Sequence, residues 1–356
     1  DNREPERARA GLAATFAEPF VLGGSRVEIA AQFGYTELGR TTRGAEQLLR
    51  EAEMALYYPR YSGTSGPWSV YTNELDAETH QRIQMTDELR QALAEDQFEL
   101  HFQPKVDLAS GQLLAAEALL RWNHPERGLQ PPGLFIAVAE QSQLIEPIGH
   151  WVLNEACRCV RLWDDAGLSL VPVSVNVSVV QFASGNFPRR VECALAYYGV
   201  APQHLTLEIT ESVFEQESDW LNEQLRALHA MGVRLSLDDF GTGYSSLLYL
   251  QRYPFDEIKA DKGFVFRVLD DTYSAKVVSS VLGLAGALDA EVVAEGIESD
   301  AIARSLLTMG CRIGQGYHYS VPLAAEDFQW LLECRSPLPL RSGETATIEN
   351  DSEEPS

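Results

Sequence analysis

Six short apolar runs in this 356-residue chain each close on a carboxylate, an amide or a lysine, at intervals of roughly 20 to 60 residues. The closing residues are Glu117, Asn176, Glu208 with Glu211 after it, the pair Asp238 and Asp239, Lys259 with Asp261 after it, and Glu295. Apolar strands ending in polar groups at such spacing describe a barrel with a chemically equipped rim. Gathering so many like charges without cations would be prohibitive. The remedy is divalent metal held by oxygen ligands, and the chemistry that suits it is attack on a phosphate ester.

The rest of the chain fits that frame. Strands are expected at Leu100–Val106, Leu114–Arg121, Pro172–Val177, Leu205–Ile209, Val233–Leu237, Glu257–Lys259, Glu291–Ala294 and Arg312–Tyr317, with helical patterns between most of them. Alternating strands and helices imply parallel pairing through crossover helices. The fold class is therefore α/β, a TIM-like (β/α)8 barrel, with a small α+β remnant at the N-terminus. In that remnant a helix is expected over residues 4–20, a strand over 25–34 and a helix over 45–58. The domain boundaries read as 1–75 for the remnant, 76–96 for a connecting helix, 97–334 for the barrel and 335–356 for a disordered acidic tail.

Charge narrows the function. The formal net charge of −24, from 28 basic and 52 acidic residues, argues against binding a DNA or RNA polymer, which needs a basic footprint. Any phosphate ligand must be held locally. The five cysteines (Cys157, Cys159, Cys193, Cys311, Cys334) are an odd set in apolar segments, suiting reduced core thiols. No membrane-length apolar run or signal-peptide pattern occurs, so a cytoplasmic chain is expected, with any membrane anchor of a full-length protein lying upstream.

Seven strings in order carry a resemblance. Phe102-Gln103-Pro104-Lys105, Glu117-Ala118-Leu119-Leu120-Arg121-Trp122, Asn176-Val177-Ser178, Glu208-Ile209-Thr210-Glu211, Asp238-Asp239-Phe240-Gly241-Thr242-Gly243, Ala294-Glu295-Gly296 and Gly314-Gln315-Gly316-Tyr317 together resemble the EAL-domain family of cyclic di-GMP phosphodiesterases, over about residues 84–334. The resemblance implies metal-dependent hydrolysis of cyclic di-GMP to linear pGpG with two Mg²⁺ or Mn²⁺ ions. Glu117, Asn176, Glu208 and Asp238 would hold the first ion, and Asp238, Asp239 and Glu295 the second. Lys259 would contact the attacking water and favour its hydroxide form. Arg121 would pair with a substrate phosphate, Gln103 and Leu119 would contact the nucleotide, Asp261 would contact substrate and Gln315 would line the site. Glu211 would support the loop after Asp239, and a homodimer would form through Phe240 to Leu250. The two aspartates would both reach metal because the strand ends there, with Gly241 and Gly243 permitting the turn.

Asn176-Val177-Ser178 matches a glycosylation acceptor, but its strand-end position favours a ligand. Asp239-Phe240-Gly241 resembles a kinase triplet without the accompanying kinase motifs. Glu298 is given no chemistry, and His124 is expected to face solvent. Phe102, Ala137, Gly263 and Val321 depart from the family pattern and bear on substrate affinity. A glycosidase barrel would use paired carboxylates but leaves the amide, the lysine and the Asp-Asp pair unexplained. The alternative function is a non-catalytic cyclic di-GMP receptor signalling through a partner, which loss of a ligand would mark; none is lost. Ala45–Tyr57 resembles a late helix of the GGDEF cyclase domain, whose signature string is absent, so no cyclase activity is expected. A start at Asp1 without methionine favours a fragment of a longer chain.

Overall fold

The computed structural model describes residues 44–57, 68–211, 219–241 and 253–339, together with short stretches between residues 11 and 36. The chain divides into two compact units, Asp1–Leu89 and Arg90–Ser356. In the first, β1 (Phe20–Leu22) pairs antiparallel with β2 (Ser25–Val27), and β3 (Phe33–Tyr35) pairs parallel with β4 (Trp68–Val70). The single strand expected over 25–34 is thus two strands with different partners. Phe33 stacks on Trp68 with ring centroids 4.3 Å apart. The helix Ala45–Tyr57 lies so near β3 that a Cβ on Gly34 would strike the backbone of Ala52 and Leu56. Its Glu51 is buried and accepts a hydrogen bond from Thr36 Oγ1 at 2.7 Å. The helix expected over 4–20 falls largely outside the described residues. Where a connecting helix is expected over 76–96, a helix runs Asn73–Ala94, with Leu89 and Ala92 buried on its apolar stripe.

The second unit is built on β5 (Phe98–Asp107), β6 (Leu113–His124), β7 (Gly128–Gln130), β8 (Val173–Asn176), β9 (Leu205–Thr210), β10 (Arg234–Phe240), β11 (Glu257–Ala260), β12 (Glu291–Ala294), β13 (Ile313–Gly314) and β14 (Leu323–Ala324). A closed TIM-like ring runs β5, β13, β12, β11, β10, β9, β8, β6 and back to β5, while β7 and β14 extend its wall outside the ring. From β6 through β13 every ring pairing is parallel. β5 runs against both neighbours, contrary to the all-parallel expectation. The cause is the Leu108–Gln112 connection, too short for a crossover helix. Asp107 Oδ1 accepts from the N–H groups of Ala109 and Ser110 there, and Gly111 adopts φ 71°. The reversal matters for the site, because the side chains of β5 descend into the barrel as the sequence proceeds. Gln103 pairs with Glu117, and Lys105 lies deeper, paired with Ala115.

Helices cover the ring. Ile145–Asp165 turns Ile148, Val152, Cys159 and Trp163 inward, at helical spacing. Asp271 and Ser299 cap the helices Thr272–Ala287 and Asp300–Met309 through their side-chain oxygens. Phe102 packs into this layer, 5.0 Å from Trp163 and 5.6 Å from Phe328 by ring centroid, so this departure from the family pattern does not face the barrel interior. His124 is buried rather than solvent-facing. Its Nδ1 accepts from the N–H groups of Glu126 and Arg127 and fixes the turn into β7. Cys157, Cys159 and Cys311 are buried, but Cys193 and Cys334 are exposed, so the core placement expected of the whole set holds for three. Among the described residues no helix is long and apolar enough to cross a membrane. Residues 242–252 and the tail beyond 339 lie outside the described residues.

Gly316 makes one close approach that no other residue type permits. A Cβ there would meet the backbone N and O of Ile297. Gly316→Ala is expected to cost about 1–3 kcal/mol, read as a lowered melting temperature.

Candidate active site

One end of the barrel opens into a cleft of about 380 Å³. Of the residues singled out in the sequence, Gln103, Glu117, Leu119, Asp238, Asp239, Lys259, Asp261, Glu295 and Gln315 line it. Lys262 and Tyr317, to which the sequence assigns no role, line it as well, as does Glu298, which is given no chemistry. Glu117 does not close its strand as expected, since β6 continues to His124. Six strands or their immediate ends therefore contribute to one cavity.

Lys259 is the electrostatic centre. Its Nζ lies 2.6 Å from Glu208 Oε2, 2.6 Å from Glu295 Oε1, 3.1 Å from Asp238 Oδ1 and 3.5 Å from Glu117 Oε2. Burial acts to lower its pKa, but the carboxylates of Glu117, Glu208, Glu295 and Asp238 outweigh it and hold the ammonium well above the ordinary lysine range. Glu117 is fixed on both oxygens: Asn176 Nδ2 donates to Oε1 at 2.7 Å, and Gln315 Nε2 to Oε2 at 2.7 Å. Gln315 Nε2 also donates to Gln103 Oε1 at 2.8 Å, and Gln103 in turn donates to the Ser320 carbonyl. Gln315 Oε1 is a buried acceptor without a protein donor.

Asp238 and Asp239 both reach the cleft through a bulge inside β10, not through the end of the strand. The register against β11 shifts between Leu237 and Phe240, and Asp239 takes φ 55°. The Asp239 N–H folds back onto Asp238 Oδ1 at 2.9 Å. Oxygens of Asp238, Asp239 and Glu295 consequently lie within 4.8 Å of one another.

Glu208 does not line the cleft; it is buried beneath it and reached through Lys259. Its other oxygen accepts from a second buried lysine, Lys105, at 2.8 Å. Lys105 also donates to Glu257 Oε1 at 2.7 Å. Sequence reasoning missed both Lys105 and Glu257. The available signal was period two: Lys105 follows Gln103 by two residues and Glu257 precedes Lys259 by two, so each shares a strand face with a residue already singled out.

The donor set fits hard divalent cations. It is entirely oxygen, and six carboxylates (Glu117, Glu208, Asp238, Asp239, Glu257, Glu295) face two ammonium groups. Fully ionised, the cluster carries an excess of four negative charges, which two divalent cations offset. Burial, and then Lys105 and Lys259 acting against it, set Glu208, which the lysines hold down at about 2. Glu295 is pushed up to about 8, by burial first, with Lys259 opposing and Asp238 and Glu117 adding. Glu117, Asp238 and Asp239 are also raised, burial leading in each.

A cation binding these groups must displace their protons, so its affinity rises as pH approaches 8 and levels off above. The metal-free protein behaves oppositely. A carboxyl raised from 4.5 to about 8 on folding contributes stability that is complete below 4.5 and is lost as pH rises through 8. Mg²⁺ titration calorimetry and thermal melts in EDTA, over about pH 5 to 8.5, are expected to slope in opposite directions. Parallel slopes would contradict the raised carboxyls.

Three expected residues stand apart. Arg121 does not line the cleft; it lies two residues beyond Leu119 on the same face of β6, and its Nη1 donates to the Leu120 carbonyl. Asn176 lines an adjoining, largely apolar groove of about 560 Å³, which shares Leu119 with the cleft. Glu211 borders neither. Asp261 combines two positions, lining the cleft and capping the helix Lys262–Val265 through the Gly263 N–H.

The EAL domain description matches residues 86–322. The chain belongs to the EAL-domain family. This EAL protein is 39% identical over 315 residues to the bifunctional diguanylate cyclase/cyclic di-GMP phosphodiesterase MucR of Pseudomonas aeruginosa, covering 88% of this chain and 46% of MucR. It is 36% identical over 328 residues to the cyclic di-GMP phosphodiesterase NbdA of the same organism, covering 91% and 42%. The chain thus spans less than half the length of these curated relatives. A solved structure of the PaMucR phosphodiesterase in complex with c-di-GMP aligns at TM-score 0.66 and 45% identity, over 69% of this chain and 99% of that one. The EAL domain of Xanthomonas citri FimX in complex with c-di-GMP aligns at TM-score 0.63 and 26% identity, over 70% and 97%.

Proposed function

We propose that this chain hydrolyses cyclic di-GMP to linear pGpG with divalent metal, either Mg²⁺ or Mn²⁺, as two ions per site. The observation that carries the reading is the convergence of Asp238, Asp239 and Glu295 beside a lysine bonded to four carboxylates. The names of relatives at 36–45% identity agree with it. Glu117, Asn176, Glu208 and Asp238 would hold one ion, and Asp238, Asp239 and Glu295 the other. When bound, the ions neutralise charge on the phosphate and lower the pKa of water. Lys259 stays protonated and so acts as a fixed positive charge beside the attacking oxygen, not as a base. Gln315 and Asn176 hold Glu117 in place through its two oxygens. Gln103, Leu119, Asp261 and Gln315 supply contacts for the nucleotide, and Arg121 a charge for the phosphate at the outer edge.

The same reading makes residues 1–75 a remnant of a GGDEF-like domain, 76–96 a connecting helix and 97–334 the catalytic barrel, in a cytoplasmic chain. The MucR alignment supports the first of these, since 315 matched residues extend beyond the EAL segment. Homodimerisation through Phe240 to Leu250, with Glu211 supporting that loop, is part of the proposal; a monomer mass by light scattering at high concentration would end it. The decisive experiment is chromatographic. Purified protein is incubated with cyclic di-GMP and Mg²⁺ or Mn²⁺ beside Glu117→Ala and EDTA controls. Appearance of pGpG that both controls abolish is the expected result. Intact nucleotide with measurable binding means a receptor instead.

A further inference from the structure

Beneath Lys259 lies a second polar layer that the proposed chemistry does not use. Lys105, Ser174, Ser236 and Glu257 are each at most 4% exposed. Lys105 Nζ donates to Ser174 Oγ at 2.9 Å, Glu208 Oε1 at 2.8 Å and Glu257 Oε1 at 2.7 Å, and Ser236 Oγ donates to the same Glu257 oxygen at 2.8 Å. Barrel interiors are ordinarily filled by branched apolar side chains. An apolar filling of similar volume is often as stable as a buried ionic network, or more so. Stability alone is therefore a poor account of this layer.

Its connection upward gives a better one. Glu208 Oε1 is bonded to Lys105 from below, and Oε2 to Lys259 at 2.6 Å from above. Both oxygens are thus tied to ammonium groups on different strands, β5 and β11, which fixes the plane of the carboxylate. Glu257 and Ser174 fix Lys105 in turn, and Ser236 fixes Glu257. The reversed direction of β5 is what allows Gln103 to stand at the cleft while Lys105 reaches below it.

We propose that Lys105 is a positioning residue for metal binding, holding Glu208 in the orientation in which its carboxylate serves a divalent cation. The inference rests on the metal-dependent reading above. It also explains why two buried lysines are present where the chemistry at the cleft needs one. Outer partners of this kind typically change metal affinity 10- to 100-fold.

The test is Mn²⁺ titration calorimetry on the wild type, Lys105→Met and Lys105→Met/Glu257→Leu, with thermal melts of each. The single variant leaves Glu257 without its counter-charge and is expected to melt early. The double variant removes both charges of the lower pair and restores an apolar filling, so its melting temperature recovers. Its Mn²⁺ affinity is nevertheless expected to stay about 10- to 100-fold weaker than wild type. Turnover should recover largely at saturating Mn²⁺, showing as a shift in metal requirement rather than in maximal rate. A folded double variant that binds Mn²⁺ as the wild type does would mean that Lys105 only balances Glu257, and the inference falls. A double variant that does not fold marks the layer as structural and equally overturns it. Absence of Mn²⁺ binding by the wild type overturns the metal-dependent reading itself, and this inference with it.

Discussion

Lys259→Met is expected to lower turnover by about 10²- to 10³-fold and, in metal-free buffer, to lower stability by about 3–5 kcal/mol. Mn²⁺ should restore most of the stability and none of the turnover. The lysine side chain is 1% exposed, and its ammonium is shared among Glu117, Glu208, Asp238 and Glu295. Removing it leaves buried carboxylates facing one another, a penalty that added cations relieve by supplying the missing charge. They would not replace the donor that Lys259 offers the attacking oxygen in the proposed mechanism, whose loss is typically about 10²- to 10³-fold in rate. Scanning calorimetry with EDTA and with Mn²⁺, beside the chromatographic assay, separates the two effects. Equal stability of variant and wild type in EDTA would show that the carboxylates are not charged against Lys259.

Asp238→Asn is expected to reduce turnover by about 10³-fold or more while leaving the fold intact. The amide oxygen of asparagine retains the acceptor that the Asp239 N–H needs at 2.9 Å, so the bulge in β10 survives. What disappears is one charge from the group that belongs to both proposed ligand sets. Because burial already raises the Asp238 pKa, the metal-free variant should melt at or above the wild-type temperature. Calorimetry should show weakened binding of Mn²⁺, and wild-type turnover would refute the bridging role.

Much of this was legible from residue pattern. The eight ring strands showed because apolar runs with polar ends have few other readings; Asp238, Lys259 and Glu295 lie at or within two residues of their strand ends, whereas Glu117 sits inside β6. Strand direction was less visible, since a period of two is the same read either way. The Leu108–Gln112 connection decided it by length alone. The Asp-Asp pair was read correctly as convergent but for the wrong reason, because a bulge leaves no mark beyond the two residues themselves. Lys105 and Glu257 were overlooked because charged side chains within a strand ordinarily mean a solvated face. Here Lys105 is buried between Glu257 and Glu208, and Lys259 supplies the second positive charge that Glu208 faces.

The reversal of β5 has a consequence for anything that precedes the barrel. In an all-parallel ring the chain enters at the floor, remote from the chemistry. Here Phe98 pairs with Trp122 near the far end of β6, so the polypeptide enters at the mouth and runs downward past Gln103 to Lys105. The segment that enters is thus continuous with the strand that places Gln103 at the cleft and Lys105 beneath it.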